Sequence, residues 1–350
     1  MNADINSNAG AALPIRLKGL SKVFGPQPHQ AMQRVHQGVS KEVLRDEFGH
    51  VLGLNQIDLD VPAGCLQVIM GLSGSGKSTL IRHINRLIEP TEGEVWVGDV
   101  PVMNLSHSDL LAHRKTTTSM VFQKFALMPH LTTLENVSFG LEILGMPAKV
   151  RRHTCRQWLD RVGLAGYEQA YAHELSGGMQ QRVGLARALA VNTPILLMDE
   201  AFSALDPLIR NDMQDLLLEL QQEQGKTVVF ITHDLDEALK LGEHIAILRD
   251  GDIVQKGTPA DIVLKPESDY VQNFVRSVNR GKVIRCKSLV KPISESTDNS
   301  MRLNSETNLE QAISQLNEAS ETVARVINKR GKTLGEVNLQ DLINVWVTPS

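Results

Sequence analysis

The apolar run Leu66, Gln67, Val68, Ile69, Met70 passes without a break into Gly71-Leu72-Ser73-Gly74-Ser75-Gly76-Lys77-Ser78, and a helical pattern begins directly afterwards. A run this apolar suits a central strand covered on both faces, the situation of a parallel sheet. The octapeptide matches G-x-x-x-x-G-K-[ST], and its place between strand and helix is the context that the motif requires. Gly71, Gly74 and Gly76 let the backbone bend so that amide N–H groups can wrap a β-phosphate, and the following helix adds its positive N-terminal end. Lys77 is then placed to reach the β- and γ-phosphates, and Ser78 to ligate Mg²⁺.

Other segments agree with an α/β fold. Strand-like stretches at Glu94–Val97, Met120–Gln123, Ile195–Met198, Thr227–Thr232, His244–Leu248 and Asp252–Gln255 alternate with helical patterns, which predicts a largely parallel sheet. Residues 13–24 and 53–70 read as β segments. Between them, 26–52 reads as an insertion with a weak helical pattern and three histidines, His29, His36 and His50, expected at the surface. The stretch Asp206–Gln224 reads as a helix capped by Asp206, with Pro207 in its first turn.

At 350 residues there is room for about two domains. From Arg276 to Pro292 the charges are Arg276, Arg280, Lys282, Arg285, Lys287 and Lys291, with no acid among them, and a Ser/Thr/Asn-rich stretch follows. That shift predicts a domain over 13–278, a solvated basic and polar linker over 279–302, and a small α/β module over 303–350. Such a run would also suit an anionic lipid surface, at about 1 kcal/mol per charge before screening. The module reads as helix Asn308–Glu318, strand Thr322–Asn328, turn at Arg330 and Gly331, strand Thr333–Asn338 and helix Leu339–Val345.

The formal net charge of −4 points away from a nucleic-acid partner. No apolar run reaches the ~20 residues of a bilayer span, and Met1–Ala12 carries no recognisable secretion signal. Three widely spaced cysteines, Cys65, Cys155 and Cys286, fit a reduced compartment and are expected to be small buried hydrophobes.

A second chemical element is the apolar run Ile195-Leu-Leu-Met-Asp199-Glu200, which ends in two acids. Asp199 is placed to hold the Mg²⁺ shell and Glu200 to take a proton from an attacking water. These two elements alone leave a small-molecule kinase open. A third is Leu175-Ser176-Gly177-Gly178-Met179-Gln180-Gln181-Arg182, another serine and glycine run that leads into a helix and offers a second phosphate-directed N-terminus.

This third element closely resembles the signature sequence of ATP-binding-cassette (ABC) proteins. The resemblance implies a P-loop NTPase with a RecA-like core, a helical subdomain at about 132–192 and an antiparallel β subdomain. It also implies a head-to-tail homodimer holding two ATPs. In it, Ser176, Gly177, Gly178 and Gln180 of one copy close over the nucleotide bound by Gly71 to Thr79 of the other. Gln123 resembles the Q-loop glutamine, which senses Mg²⁺ and the water. Ser203-Ala-Leu-Asp206 resembles the D-loop that links the two sites, and His233 resembles the switch histidine at the γ-phosphate. Phe24 occupies the place of the adenine-stacking aromatic, the other reading being a buried strand phenylalanine. Ala201 stands where the family usually has proline, which removes a turn residue but no catalytic group.

With one cassette, no fused membrane domain and no coiled coil between Lys77 and Ser176, the chain most resembles the separate ATPase subunit of a bacterial importer, from Ile15 to about Val278. Within importers it is similar to the quaternary-amine uptake group for glycine betaine, proline betaine and choline. That similarity rests on Met70–Arg82, Phe122–His130, Phe202–Arg210, His233–Leu239, Tyr270–Val275 and the insertion after Phe24. The segment after Val275, through Val283–Leu289, looks most like the choline type. The resemblance implies ATP and Mg²⁺ as cofactors, a membrane permease and a periplasmic or lipid-anchored solute-binding protein as partners, and a peripheral position on the cytoplasmic side of the inner membrane. Betaine-type relatives often end in paired CBS modules, and the C-terminal module here resembles at most a single one. A soluble kinase would have no use for Leu175–Gln180. A nucleotide-binding module without turnover would have none for Glu200 and His233.

Overall fold

The computed structural model describes residues 11–276, 278–293, 301–328 and 331–347. Residues 294–300 of the expected linker and Arg330 of the expected turn lie outside the described residues. The strands in chain order are β1 (Ile15–Phe24), β2 (Val51–Val61), β3 (Leu66–Met70), β4 (Glu92–Val97), β5 (Val100–Pro101), β6 (Thr118–Val121), β7 (Ile195–Asp199), β8 (Thr227–Thr232), β9 (His244–Arg249), β10 (Asp252–Gly257), β11 (Met301–Asn304), β12 (Val323–Ile327) and β13 (Thr333–Asn338). They form a four-stranded sheet β2-β1-β4-β5, a six-stranded sheet β10-β9-β3-β8-β7-β6 and a three-stranded sheet β11-β12-β13.

In the six-stranded sheet β3, β8, β7 and β6 run parallel, and every residue of β3, β7 and β8 is buried. The expected single segment 53–70 is instead two strands in two sheets. Pro62 offers no N–H to continue a ladder, and Gly64 turns the chain with φ +71°. β2 therefore pairs antiparallel with β1, and β3 enters the parallel sheet. Ile15, Leu17, Ile57 and Val95 share one core with Ile69, Leu80, Leu197 and Val229, so both sheets are packed around the helix Lys77–Ile84.

The insertion folds as two helices, Pro28–His36 and Lys41–Asp46, which bury Ala31, Met32 and Leu44 against Val23 and Leu52. His29 and His36 are exposed as expected, but His50 is not. It is buried, with Nε2 2.6 Å from the Pro26 carbonyl, because it closes the two ends of the insertion on each other. Three helices, Thr133–Ile143, Ala148–Arg161 and Gly177–Ala190, occupy the region expected to be helical.

By compactness the chain divides into two units: Met1–Asp234 with Ala246–Ile253, and Leu235–Ile245 with Val254–Ser350. In the second, β11 and β12 pair in parallel across the helix Leu309–Glu318, and β12 turns back antiparallel to β13 before the helix Leu339–Val347. Sequence reading misses β11, whose four residues are too few to show a period. The expected 279–302 linker needs correction as well. Residues 280–291 hold a helix, Arg280–Val283, and a 3₁₀ turn, Cys286–Ser288, with Arg280, Ile284 and Cys286 buried. Lys287 Nζ lies 2.9 Å from Glu306, Lys291 Nζ lies 2.7 Å from Asp341, and the Lys291 backbone bridges to Glu336. Lys287 and Lys291 look unanswered locally because their acids lie beyond residue 300. All three cysteines are buried and free. No helix among the described residues is long and apolar enough to cross a membrane.

Candidate functional site

The loop between β3 and the helix Lys77–Ile84 takes backbone conformations that side chains resist: φ is +81° at Gly74 and +103° at Gly76. A Cβ on Gly76 would lie 2.5 Å from the Gly53 carbonyl oxygen, so only glycine fits there. Leu72, Ser73 and Gly74 are exposed at the rim, while Gly71, Ser75 and Lys77 are buried. Lys77 Nζ donates to the carbonyls of Gly71 and Leu72, each at 2.9 Å, and so curls the loop around its own cation. Burial pulls the Lys77 pKa below the ordinary lysine value, and Glu200 and Asp199 push it back up. Ser75 Oγ is buried without a hydrogen-bond partner among the described residues, a polar atom in the cradle still to be satisfied.

β7 delivers two acids to the same place. Asp199, fully buried, accepts from Ser78 Oγ at 2.7 Å and faces Arg82 Nη2 at 3.3 Å. Glu200 sits one residue beyond, with φ +48°, a conformation rare for a side chain of its size. It persists because surrounding bonds fix it: the Glu200 N–H donates to Ile231 O at 3.2 Å, and the Glu200 carbonyl accepts from Ser203 N at 3.2 Å and Ser203 Oγ at 2.9 Å. Its carboxylate is the meeting point of three other groups. Gln123 Nε2 donates to Oε2 at 2.9 Å, His233 Nδ1 lies 3.5 Å from Oε2, and Lys77 Nζ lies 3.9 Å from Oε1. Gln123 follows β6 and His233 follows β8, so the carboxyl ends of neighbouring parallel strands gather the set, as open α/β sheets do with their ligands.

The remaining expected residues lie elsewhere in the chain. Ser176 caps the helix Gly177–Ala190, its Oγ accepting from Met179 N at 3.3 Å, and Gln180 Nε2 donates to the carbonyls of Ala172 and Leu175 at 2.9 and 3.1 Å. Ser176 and Gly177 are exposed and Gly178 is half-buried. Asp206 caps the helix Pro207–Gln224 by accepting from Ile209 N at 3.1 Å. The Thr79 carbonyl lies 2.6 Å from His83 Nδ1 inside the loop's own helix. Phe24 is 39% exposed at the end of β1, which removes the reading as a buried strand phenylalanine; its ring lies against Gly53, where a Cβ would come within 2.7 Å of it.

Two residues escape sequence reading. Arg82 stands one turn beyond Ser78 on the same helix face, a spacing of four that could have flagged its approach to Asp199. Arg187 donates to the carbonyls of Ala126 and Phe125 at 2.7 and 3.1 Å, and both of those residues have positive φ in the segment after Gln123. Burial lowers the Arg187 pKa from the ordinary arginine value. A lone base in the otherwise apolar Gly184–Ala190 was the available signal.

The donor set suits Mg²⁺. It consists of the Ser78 hydroxyl and the Asp199 carboxylate in contact, with Gln123 and Glu200 beside them, all offering hard oxygens. No group of three or more His, Cys, Asp or Glu among the described residues could hold a metal alone. A Mg²⁺ ion that also takes phosphate oxygens needs no such cage.

A glycine-rich phosphate loop between strand and helix, facing acids at the end of a neighbouring parallel strand, defines a P-loop nucleotide hydrolase. Residues 54–203 match the family described as ABC transporter. The chain is 50% identical over 280 residues to the glycine betaine/proline betaine transport system ATP-binding protein ProV of Escherichia coli (strain K12), covering 80% of this chain and 70% of that protein. It is 40% identical over 331 residues to the trimethylamine N-oxide transport system ATP-binding protein TmoW of Pelagibacter ubique, covering 94% and 96%. Among solved structures, a dimeric ATP-binding cassette in a post-hydrolysis state bound to ADP and Pi matches with a TM-score of 0.61 and 34% identity, over 70% of this chain and 98% of that one. The chain belongs to the ABC transporter family, as an ATP-binding ATPase subunit.

Proposed function

We propose that this chain hydrolyses ATP to energise import of a small quaternary amine through a partner permease and solute-binding protein, working as a homodimer at the cytoplasmic face of the membrane. The observation that carries the ATPase part is the convergence of Gln123, His233 and Lys77 on Glu200, beside the Ser78–Asp199 pair.

Phe24 stacks on adenine, and the N–H groups of Gly71 to Thr79 wrap the phosphates while Lys77 exchanges its loop carbonyls for phosphate oxygens. When bound, Mg²⁺ supplies charge that offsets the phosphates; Ser78, Asp199 and Gln123 hold it, partly through water. Glu200 accepts the proton of the attacking water, and His233 orients the γ-phosphate. Gln123 donates to Glu200 in this structure, so it has to yield for the water to enter. Ser176, Gly177, Gly178 and Gln180 close the site from the second copy, and Asp206 links the two sites.

The substrate class rests on the relatives, whose names give glycine betaine, proline betaine and trimethylamine N-oxide. A further relative, 35% identical, is the glycine betaine/carnitine/choline transport ATP-binding protein OpuCA of Bacillus subtilis. The segment after Val275 favours choline within the class. The fold after Met301, strand, helix, two strands and helix, supports a single CBS-like module. The test is ATPase activity of the complete transporter in liposomes with choline, glycine betaine, proline betaine or trimethylamine N-oxide and the cognate binding protein. Choline should stimulate most. Stimulation by a betaine and not by choline would overturn the choline assignment, and stimulation by none of the four would overturn the class.

A further inference from the structure

We propose that the insertion 26–52 is a brace for the phosphate loop and that Lys41 is the positioning residue through which it acts. The proposal rests on the reading that this loop holds ATP.

The loop is rich in glycine and leaves its own backbone free to wander, so something behind it must fix its shape. Behind it lies the turn between β9 and β10. Gly251 N donates to Ser75 O of the loop at 3.0 Å, and Asn55 N of β2 donates to Gly251 O at 2.9 Å. The turn is tight, with Asp250 and Gly251 both at positive φ, +49° and +84°. A Cβ on Gly251 would fall 2.9 Å from Gly53 O, the same carbonyl that excludes a side chain from Gly76. Loop, turn and the start of β2 thus approach one another closely enough for their backbones to bond.

Lys41 opens the second helix of the insertion and bonds to both residues that flank Gly251. Its Nζ donates to Asp250 O at 2.6 Å and pairs with an oxygen of Asp252, while Asn55 Nδ2 donates to the other oxygen of Asp252 at 2.8 Å. One cation therefore ties the residues on either side of Gly251, the residue that bonds to the loop. The insertion is firm enough to serve as an anchor. Ser40 Oγ accepts from Val43 N, Leu44 and Met32 are fully buried, and His50 closes the ends against Pro26. An ion pair with side chains 32% and 41% exposed is weak in itself. Its leverage comes from the carbonyl bond and from what the turn touches.

Loosening the turn lets the loop populate shapes that do not bind phosphate, and the apparent affinity falls by the fraction lost. The rate of the chemical step should not follow, because Glu200, Gln123 and His233 come from other strand ends. The experiment uses the purified full chain, with MgATP and ADP as probes. Lys41→Met should raise both dissociation constants and the ATPase KM roughly three- to tenfold and leave kcat within about twofold. Lys41→Arg should restore most of the affinity, and Asp252→Asn should cost less in the Lys41→Met background than alone. Thermal unfolding of each variant verifies that the chain is folded at the assay temperature. Affinities within twofold of wild type, or a fall in kcat at constant KM, overturn the brace. A wild-type chain that binds neither nucleotide overturns the reading of the site and the brace with it; wild-type binding alongside an unaffected Lys41→Met overturns the brace alone.

Discussion

Two helix N-termini in this chain are proposed to face phosphate, and the structure treats them in opposite ways. At the helix Lys77–Ile84 the glycines are already bent, the lysine is 4% exposed, and three strand ends have brought Gln123, Glu200 and His233 into place. At the helix Gly177–Ala190 the serine is exposed, its hydroxyl is spent on capping Met179 N, and Gln180 bonds only to carbonyls within residues 172–175 among the described residues. The first half-site is assembled within the chain; the second is an exposed helix start, which the proposed mechanism pairs with a phosphate of another copy. Binding should therefore be a property of the first region, and turnover a property of both.

The largest expected effect comes from Glu200→Gln, which removes the proposed base and leaves the cradle. Phosphate release should fall about 10²- to 10⁴-fold with ATP affinity nearly unchanged. Equal losses in binding and hydrolysis would mean that Glu200 shapes the cradle itself. Ser176→Arg should lower hydrolysis roughly 10²-fold, since a small donor facing a partner's phosphate is replaced by bulk and charge, while each chain still binds ATP in fluorescence titration. Full activity in this variant would remove the second half-site from the reaction. Lys77→Ala should act in the reverse sense and weaken ATP itself roughly 10- to 100-fold, as loss of a charge-assisted phosphate contact requires; isothermal titration measures it.

A different readout, stability, separates the two helices by pH. His83, behind the phosphate loop, is fully buried, and burial pushes its pKa down from 6.5 to about 4. The unfolded chain takes up a proton in that window and the folded chain does not. Stability is therefore full above 6.5 and falls as pH drops towards 4, by at most about 3 kcal/mol. His83→Gln should flatten that slope in urea unfolding. The signature helix carries no histidine, so between pH 6.5 and 4.5 hydrogen exchange should loosen the helix Lys77–Ile84 first.

The same contrast explains what could be read in advance. Lys77, Ser78, Asp199 and Glu200 were legible because each lies in a short window whose strand, turn and helix signals are local. Arg82 and Arg187 were not, since their partners are a carboxylate 117 residues away and carbonyls 61 and 62 residues away. The basic run after Arg276 reads as a solvated linker for a related reason: Glu306 and Asp341, which pair with Lys287 and Lys291, come later in the chain. Proline and glycine at 62 and 64 did mark the break between β2 and β3, but the apolar residues on both sides outweighed them in a strand reading.

The position of β3 has a consequence for synthesis. All five of its residues are buried between β8 and β9, which the ribosome delivers about 160 and 175 residues later. At 5–20 residues per second, this buried strand of the nucleotide site waits roughly 8–35 s for its neighbours. During that interval it is a sticky segment on an incomplete chain, and chaperones that shield such segments should be needed most before Thr227 is made. Ribosome-bound chains arrested ahead of that residue should be cut by protease near β3, and chains arrested with Arg249 well outside the exit tunnel should resist. Early resistance would mean that the strand is sheltered by the antiparallel sheet from the start.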